Sequence, residues 1–195
     1  MPPNTDRDGP PSGTGAALNA DIIAAVMGAK AIGAPTTDAS DAWSWARRPA
    51  MALAKAVGSQ LVLGDVSTRS PWTTPYGSGG VGADRRSPYS DGTTLVTKEE
   101  LTLLGRDYLL DQLREAEVEG VETGVWLADR PGVLALDRLL ELFDIDALVV
   151  PPFDHPGLGE RLTGDTIRAV RARMSGKTLL VAREDGSVTI DKGVG

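Results

Sequence analysis

The sequence predicts an α/β protein: a three-layer, open, parallel five-stranded sheet with helices on both faces, and a possible C-terminal hairpin strand. One observation behind this prediction is that short β-branched, apolar segments alternate with segments of helical periodicity from about residue 20 onward. Another is that 195 residues can bury a core without disulfides or a structural metal, and the chain contains no cysteine. Because helical crossovers join the strands, the strands are expected to be parallel.

The N-terminal region divides into an arm and the start of the domain. Residues 1–19 are rich in Pro, Gly, Asp, Ser and Thr, and carry too few apolar side chains to offset the entropy lost on ordering. They are predicted to be a disordered arm, and residues 20–195 a single domain. The segment 20–34, ADIIAAVMGAKAIGA, is either a short helix followed by a strand or a strand followed by a loop, and the helix-then-strand interpretation is favoured.

The first long helix is predicted between the cap-type residues Asp38 to Asp41 and the glycine at Gly58. Small and apolar residues recur between those points at helical spacing. Pro49 lies inside the segment and removes one backbone donor, so it is expected to kink the helix or divide it in two. The next strand is predicted at residues 59–66, SQLVLGDV.

Residues 67–96 are predicted to be a long loop insertion, because they consist largely of turn-forming residues. A mobile insertion is the favoured interpretation. Trp72, Tyr76 and Tyr89 lie among its glycines and prolines. These rings could contact a ligand or a protein partner, or hold the loop on its own domain.

The second half continues the alternation of helices and strands. Thr97 and Glu100 have capping-box spacing and open a helix expected to run to about Glu119, where Gly120 ends it. The segments that follow are the strand ETGVWLAD, the helix PGVLALDRLLELF, the strand DIDALVVPP and a helix over about 165–174. KTLLVA and SVTI are interpreted as strands around REDG, which is typical of a hairpin.

Charge and composition exclude several classes of function. The net charge of −7 opposes binding to nucleic acid or to an anionic membrane surface, so neither partner is expected. No apolar run reaches membrane-spanning length and the N-terminus lacks a secretory pattern, so the cytoplasm is the expected compartment. His155 is the only histidine, which argues against a catalytic triad or a multi-histidine metal site. No catalytic or metal-binding residue is assigned.

Ligand sites in sheets of this kind lie at the carboxyl ends of the strands, near the point where the strand order reverses. The loops after Thr36, Val66 and Val150 are therefore the expected functional edge.

The order of these parts resembles the universal stress protein family, which has a nucleotide-binding α/β fold with five parallel strands. The resemblance is carried by DASDAWSWARRPAMALAKAVGSQLVLGDV, by ELFDIDALVVPP followed by GLGERLTGD, and by TLLVA. It covers roughly Lys30 to Ile190. It implies that the α/β class is of the universal stress protein type, and that the chain forms a homodimer through the C-terminal strand.

The resemblance also implies where a nucleotide would lie. In ATP-binding members an aspartate at the end of the first strand contacts adenosine, and the backbone of the second strand holds the adenine. A loop of the form Gly-x-x-Gly, nine residues, Gly-Ser/Thr surrounds the phosphates. The aspartate corresponds to Asp38, and the second-strand position lies near Asp65 and Val66. The four loop positions fall on Pro151, Asp154, Gly164 and Asp165, of which Gly164 alone agrees.

The three departures all disfavour phosphate. Pro151 lacks a backbone donor, Asp154 adds a charge where the backbone should approach phosphate, and Asp165 places a carboxylate at a helix N-terminus. Gly157 and Gly159 could supply a shifted loop if the alignment takes one short gap. The candidate nucleotide-binding residues are Asp38, Val66, Pro151, Asp154, Gly157, Gly159, Gly164, Asp165 and Thr166.

The favoured hypothesis is a non-enzymatic regulatory or interaction module, like a universal stress protein, in which ATP binding is weakened or lost. Its cofactor is therefore either none or weakly bound ATP. One alternative is an ATP-hydrolysing protein of the same fold that holds Mg²⁺ with Asp38, Asp154 or Asp165. Another is an accessory subunit of a larger assembly, which would contact its partner through the N-terminal arm or the 67–96 loop.

Overall fold

In the part of the chain that the structure describes, the central sheet has six strands, the expected five and the hairpin strand. The computed structural model describes residues 18–38, 42–66, 94–128, 132–153 and 164–192. The strands are β1 (Ala31–Thr36), β2 (Gln60–Asp65), β3 (Thr123–Leu127), β4 (Ala147–Val150), β5 (Thr178–Ala182) and β6 (Val188–Ile190). They lie in the order β3-β2-β1-β4-β5-β6, and all neighbouring pairs are parallel except β5–β6. The predicted α/β class and the terminal hairpin are confirmed.

Helices cover both faces of this sheet. They are α1 (Ala20–Ala25), a 3₁₀ helix (Ala42–Ala46), α2 (Arg47–Val57), α3 (Lys98–Leu103), α4 (Asp107–Val118), α5 (Gly132–Leu142) and α6 (Gly164–Arg173). Successive side chains of β2 point to opposite faces of the sheet. Leu61 and Leu63 belong to one buried hydrophobic cluster, and Val62 belongs to the other. The first cluster includes residues of α1 to α4, and the second includes residues of α5 and α6.

The helix predicted around Pro49 is divided, as expected. The 3₁₀ helix ends at Ala46 and α2 starts at Arg47, so Pro49 lies in the first turn of α2. The first N–H groups of a helix have no partner within it, and the missing donor therefore costs no hydrogen bond. Gly58 ends α2 with a φ of 70°, in the left-handed region where glycine is favoured.

The single helix expected from residue 97 to 119 is wrong, because the structure has two helices there. Thr97 does cap α3, and the reciprocal capping box with Glu100 is present. The chain then bends at Gly105, whose φ is 63°, and α4 begins two residues later. Arg106 lies in the bend and is buried. Gly120, at a φ of 72°, follows the end of α4 as predicted.

The 67–96 insertion can be followed only at its end, since residues 67–93 lie outside the described residues. Val96 forms an antiparallel bridge with Val125, in which the Val96 N–H donates to the Val125 carbonyl at 2.8 Å. Leu95 packs over Gly124, where a Cβ would lie 2.5 Å from its Cδ1. The last residues of the insertion therefore cover part of the outer edge of β3.

At the start of the domain, Asn19 caps α1 by accepting a hydrogen bond from the Asp21 N–H at 3.0 Å. Residues 1–17 of the predicted arm lie outside the described residues. The helix-then-strand interpretation of residues 20–34 is confirmed by α1 and β1.

Candidate functional site

The strand order places the expected functional edge beside β1. The chain goes from β1 to β2 on one side and returns to β4 on the other, so the order reverses between β1 and β4. In open parallel sheets, ligands bind at the carboxyl ends of the strands at such a reversal. Three residues mark this edge. Thr36 is the last residue of β1, Val66 directly follows β2, and Pro151 directly follows β4.

The end of β1 is buried and internally bonded. Thr36 is 1% exposed, and its hydroxyl donates to Oε1 of Gln112 in α4 at 2.6 Å. Its carbonyl accepts the N–H of Val66 at 2.9 Å, which extends the pairing of β1 with β2 past the last strand residue. The hydroxyl and the carbonyl of Thr36 are therefore both used in hydrogen bonds within the protein.

Charged residues lie on the same side of the sheet as α4. Asp65 is paired in register with Thr36 and is 4% exposed, and Arg106 is equally buried. Both have interaction partners within the structure. Arg47, at the start of α2, donates to a Glu115 carboxylate oxygen in α4 at 2.5 Å. Buried charge is retained where it is paired. The Thr36–Gln112 bond joins the end of β1 to α4 and the Arg47–Glu115 pair joins α2 to α4, and we call these contacts the polar layer.

The opposite side of the edge is apolar. Trp43, in the 3₁₀ helix, is 5% exposed and belongs to the same buried cluster as Val66, Ala128 and Val150. The 3₁₀ helix packs against β1, β4 and β5. An indole ring thus belongs to the core beneath the strand-order reversal, and core packing is its role in this structure.

The sheet brings three of the candidate nucleotide-binding residues to this edge. Asp38 is exposed just after β1, whereas Val66 and Pro151 are buried. Gly164, Asp165 and Thr166 are the first three residues of α6. Asp154, Gly157 and Gly159 lie outside the described residues.

The polar layer was missed by sequence reasoning. Thr36 and Gln112 are 76 residues apart, and Arg47 and Glu115 are 68 apart. Neither pair belongs to a short motif. The available signal in the sequence was a polar residue at the end of each of two apolar strands, Thr36 in one and Asp65 in the other.

Within the part of the chain that the structure describes, no cluster of three or more His, Asp or Glu side chains could hold a metal ion. The proposed Mg²⁺ ligands include Asp154, which lies outside that part, so the magnesium alternative stays a prediction. None of the described helices is long and apolar enough to cross a membrane.

A cavity of about 220 Å³ lies at the amino end of the sheet, away from the expected site. Its lining includes Met27, Asp146 and Lys177. Asp146 accepts the N–H groups of Lys30 at 2.7 Å and Ala31 at 3.3 Å, which ties the start of β1 to the start of β4. The carboxylate is therefore used to hold two strands together.

No protein-family model and no curated protein matches the chain. Among solved structures, a universal stress protein in complex with cAMP is 18% identical, with a TM-score of 0.46 over 79% of this chain and 96% of the other. A universal stress protein family member from Burkholderia pseudomallei is 15% identical, with a TM-score of 0.43 over 78% and 94%. A universal stress protein from Archaeoglobus fulgidus is 15% identical, with a TM-score of 0.41 over 83% and 93%. These are similarities of structure at low sequence identity.

Proposed function

We propose that the protein is a cytoplasmic, non-enzymatic regulatory or interaction module of the universal stress protein type, in which ATP binding is weakened or lost. The observation that carries this proposal is the set of residues at the positions of the phosphate loop. In the alignment that the family resemblance implies, Pro151 and Asp154 fall where the phosphate loop has glycines, and Asp165 falls where it has a serine or threonine.

The chemistry of each position supports the proposal. Pro151 follows β4, is buried, and has no N–H to offer to a phosphate oxygen. Asp165 is the second residue of α6, where its charge favours the helix and opposes a bound anion. A like charge close to a triphosphate costs on the order of 1–4 kcal/mol at a partly screened site.

The described edge offers little to replace the missing loop. The N–H of Val66 and the hydroxyl of Thr36 are both used in hydrogen bonds within the protein. Arg47 is paired with Glu115. A nucleotide would have to displace these bonds or bind without them, and both reduce affinity.

The test is calorimetric titration of ATP into three proteins: the natural chain, Asp165→Ser, and the triple variant that adds Pro151→Gly and Asp154→Gly. We expect weak or undetectable binding by the natural chain and a detectable gain for Asp165→Ser. For the triple variant we expect a further gain of at least about tenfold, or about 1.4 kcal/mol. Melting curves show whether each variant is folded.

The matched control is Asp21→Ser, since Asp21 is an exposed acid in the first turn of another helix. It changes the net charge by the same amount as Asp165→Ser and should not change ATP binding. A folded triple variant that binds no better than the natural chain would refute the role of these acids. Tight binding by the natural chain would refute the loss of ATP affinity. Magnesium-dependent phosphate release that disappears in Asp165→Ala would favour the ATP-hydrolysing alternative.

The homodimer through the C-terminal strand is part of the same proposal. β6 is the last strand at this end of the described sheet, and an exposed strand edge invites pairing with another chain, which supports an interface there. Sedimentation at tens of micromolar tests it, and a monomer at that concentration would contradict it. Association with a different protein through the arm or the 67–96 loop is the accessory-subunit alternative, tested by pull-down from native cells.

A further inference from the structure

Three segments of the chain meet around the cavity of about 220 Å³ at the amino end of the sheet. The first is the last residue of α1 with the four residues after it, the second is Asp146 directly before β4, and the third runs from Gly176 into the start of β5. The volume is comparable with that of about seven water molecules, at ~30 Å³ each in the liquid. This is the size of a small metabolite rather than of a nucleotide.

Hydrogen bonds join these segments to one another. The Thr178 hydroxyl donates to the Ala25 carbonyl at 2.9 Å, and the Thr178 N–H donates to the Asp146 carbonyl at 3.0 Å. The Asp146 carboxylate accepts the N–H groups of Lys30 and Ala31. The walls are therefore held in place before a ligand binds, which reduces the entropy lost on binding.

Two glycines belong to the lining. Gly28 has a φ of 84° and Gly176 a φ of 78°, in the left-handed region where glycine is favoured. A Cβ added at either glycine would meet no atom within 4 Å. Open space therefore lies beside both glycines, and a ligand can approach the backbone of each closely.

The negative group of the cavity is the Asp146 carboxylate. Its hydrogen bonds from the Lys30 and Ala31 N–H groups both end on Oδ2, and no hydrogen bond from the described residues ends on Oδ1. An ionised carboxylate accepts through both oxygens, and it bonds most strongly to a charged donor. The second oxygen can therefore accept a hydrogen bond from the ammonium group of a ligand.

The positive group of the cavity is the Lys177 ammonium group. Its Nζ lies 2.9 Å from Oδ1 of Asp144, whose side chain is 91% exposed. The hydrogen bond from Lys177 holds the pKa of Asp144 below its ordinary value, and the charge of Lys30 adds to that effect. An ion pair with so exposed a partner contributes little to stability. Lys177 can therefore exchange Asp144 for the carboxylate of a ligand at small cost.

We propose that this cavity binds a small zwitterion, an α-amino acid with a short side chain. The ligand ammonium group donates to Oδ1 of Asp146, and the ligand carboxylate accepts from Lys177. The charges of the described lining carry the choice of ligand, because that lining has one carboxylate and one ammonium group. A ligand with a single charge would match only one of them. Met27 is 68% exposed and gives the carbon skeleton an apolar surface.

This inference goes beyond the proposed function, because the cavity lies at the opposite end of the strands from the expected nucleotide edge. It does not depend on the residues at the phosphate-loop positions. A ligand that contacts the segments leading into β1, β4 and β5 stabilises the folded state by mass action. Binding should therefore also raise the melting temperature.

The test is titration of a panel of free amino acids, namely glycine, alanine, serine, threonine, valine and leucine, into the natural chain up to about 10 mM. Amide NMR shifts report binding and its place. We expect at least one of these amino acids to bind with a Kd of about 1 mM or tighter. The amide shifts of residues 25–29 and 176–178 should move, and those of Thr36 and Val66 should not.

Matched analogues test whether both charges of the ligand are needed. They are the carboxylic acid and the amine that correspond to the best binder, which for alanine are propionate and ethylamine. Each lacks one of the two charge-assisted hydrogen bonds, so each should bind at least about tenfold more weakly than the amino acid.

Two variants test the two charged groups of the lining. Asp146→Asn keeps one oxygen for the Lys30 and Ala31 N–H groups and places an amide nitrogen where the second oxygen stood. Lys177→Met keeps an apolar stem and removes the charge. Each variant should weaken binding of the best amino acid by at least about tenfold. Melting curves without ligand show whether each variant is folded.

The control for the acid is Asp144→Asn, since Asp144 pairs with Lys177 but lies outside the lining. The control for the lysine is Lys55→Met, which removes another paired lysine, on α2. Neither control should weaken binding of the amino acid.

Several outcomes would overturn the inference. Absence of binding by the whole panel is one, and shifts confined to the carboxyl edge are another. A carboxylic acid that binds as tightly as the amino acid would show a simple anion site instead. Unchanged affinity in either folded variant would exclude the assigned contact, and Lys177→Met decides alone if Asp146→Asn does not fold. The ATP titrations are read separately, so failure of this site and failure of the proposed nucleotide chemistry are distinguishable.

Discussion

Gly33 and Gly64 lie on neighbouring strands and face the same buried cluster, which contains Leu139, Ile145 and Leu148, yet we expect opposite responses to alanine. At Gly33 in β1, an added Cβ would lie 3.1 Å from Cγ2 of Ile145 and 3.2 Å from Cδ1 of Leu148. Both neighbours are fully buried, so neither can move into solvent. At Gly64 in β2, the nearest atom would be Cδ2 of Leu139 at 3.4 Å, an ordinary van der Waals contact.

These distances set the expected changes in the free energy of unfolding. Adding a methyl group to a packed site typically costs about 1–3 kcal/mol, because side chains must leave their preferred rotamers. Gly33→Ala should therefore lower the free energy of unfolding by that amount. Gly64→Ala adds no close contact and removes the entropy cost of a glycine in a strand, so we expect a change between zero and a gain of about 1 kcal/mol.

The assay is urea unfolding followed by circular dichroism, with thermal melts in parallel. For a chain of this size each kcal/mol corresponds to a shift of about 2–4 °C in Tm. Gly33→Ala combined with Leu148→Val should lose less stability than the sum of the two single changes, because the second removes one of the close contacts. A Gly64→Ala protein that is less stable than Gly33→Ala would refute the reasoning, as would strict additivity of the pair.

Two further predictions concern the bend before α4 and an ion pair on α5. Gly105→Ala should lower the free energy of unfolding by about 1 kcal/mol or more, because the φ of 63° disfavours a Cβ, and Gly105→Asn should lose less; equal losses in urea unfolding would contradict this. A hydrogen bond from Arg138 holds the pKa of Glu141 below its ordinary value of 4.5. A lowered pKa stabilises the folded state above the pKa of the unfolded chain and ceases to do so as the pH falls through the folded value. Thermal melts should therefore show Glu141→Gln less stable than the natural chain near pH 7 and equal to it in strong acid, and a difference that grows on acidification would be inconsistent with the pair.

The local signals in the sequence were sufficient for most elements. The capping box at Thr97 and the glycine stop at Gly58 both depend on contacts within a few residues, and both are present in the structure. The division at Pro49 has the same origin, because a missing N–H acts on the adjacent turn. The bend at Gly105 was not predicted, since apolar residues continue at helical spacing on both sides of it and a single glycine is tolerated in helices.

The sequence predicted where the candidate site lies, at the carboxyl edge of the sheet, but not the side-chain contacts there. Alternation of strands and helices is enough to place the ends of β1, β2 and β4 together, because parallel crossovers bring carboxyl ends to one side of a sheet. The chemistry at that edge depends on Gln112, which lies in α4 and meets Thr36 only after the chain has folded.

The sequence by itself determined the α/β class and the order of helices and strands, except for the division between α3 and α4, and the family resemblance assigned the phosphate-loop positions. Only the tertiary structure decided that Thr36 bonds to Gln112 and that Arg47 bonds to Glu115. The physical reason is the distance along the sequence between the residues that interact. Caps, turns and periodicity arise from interactions between residues a few positions apart, which composition and spacing reveal. Pairing across a sheet or between helices depends on which surfaces the whole chain brings together, and many sequences of the same pattern could bring together different ones.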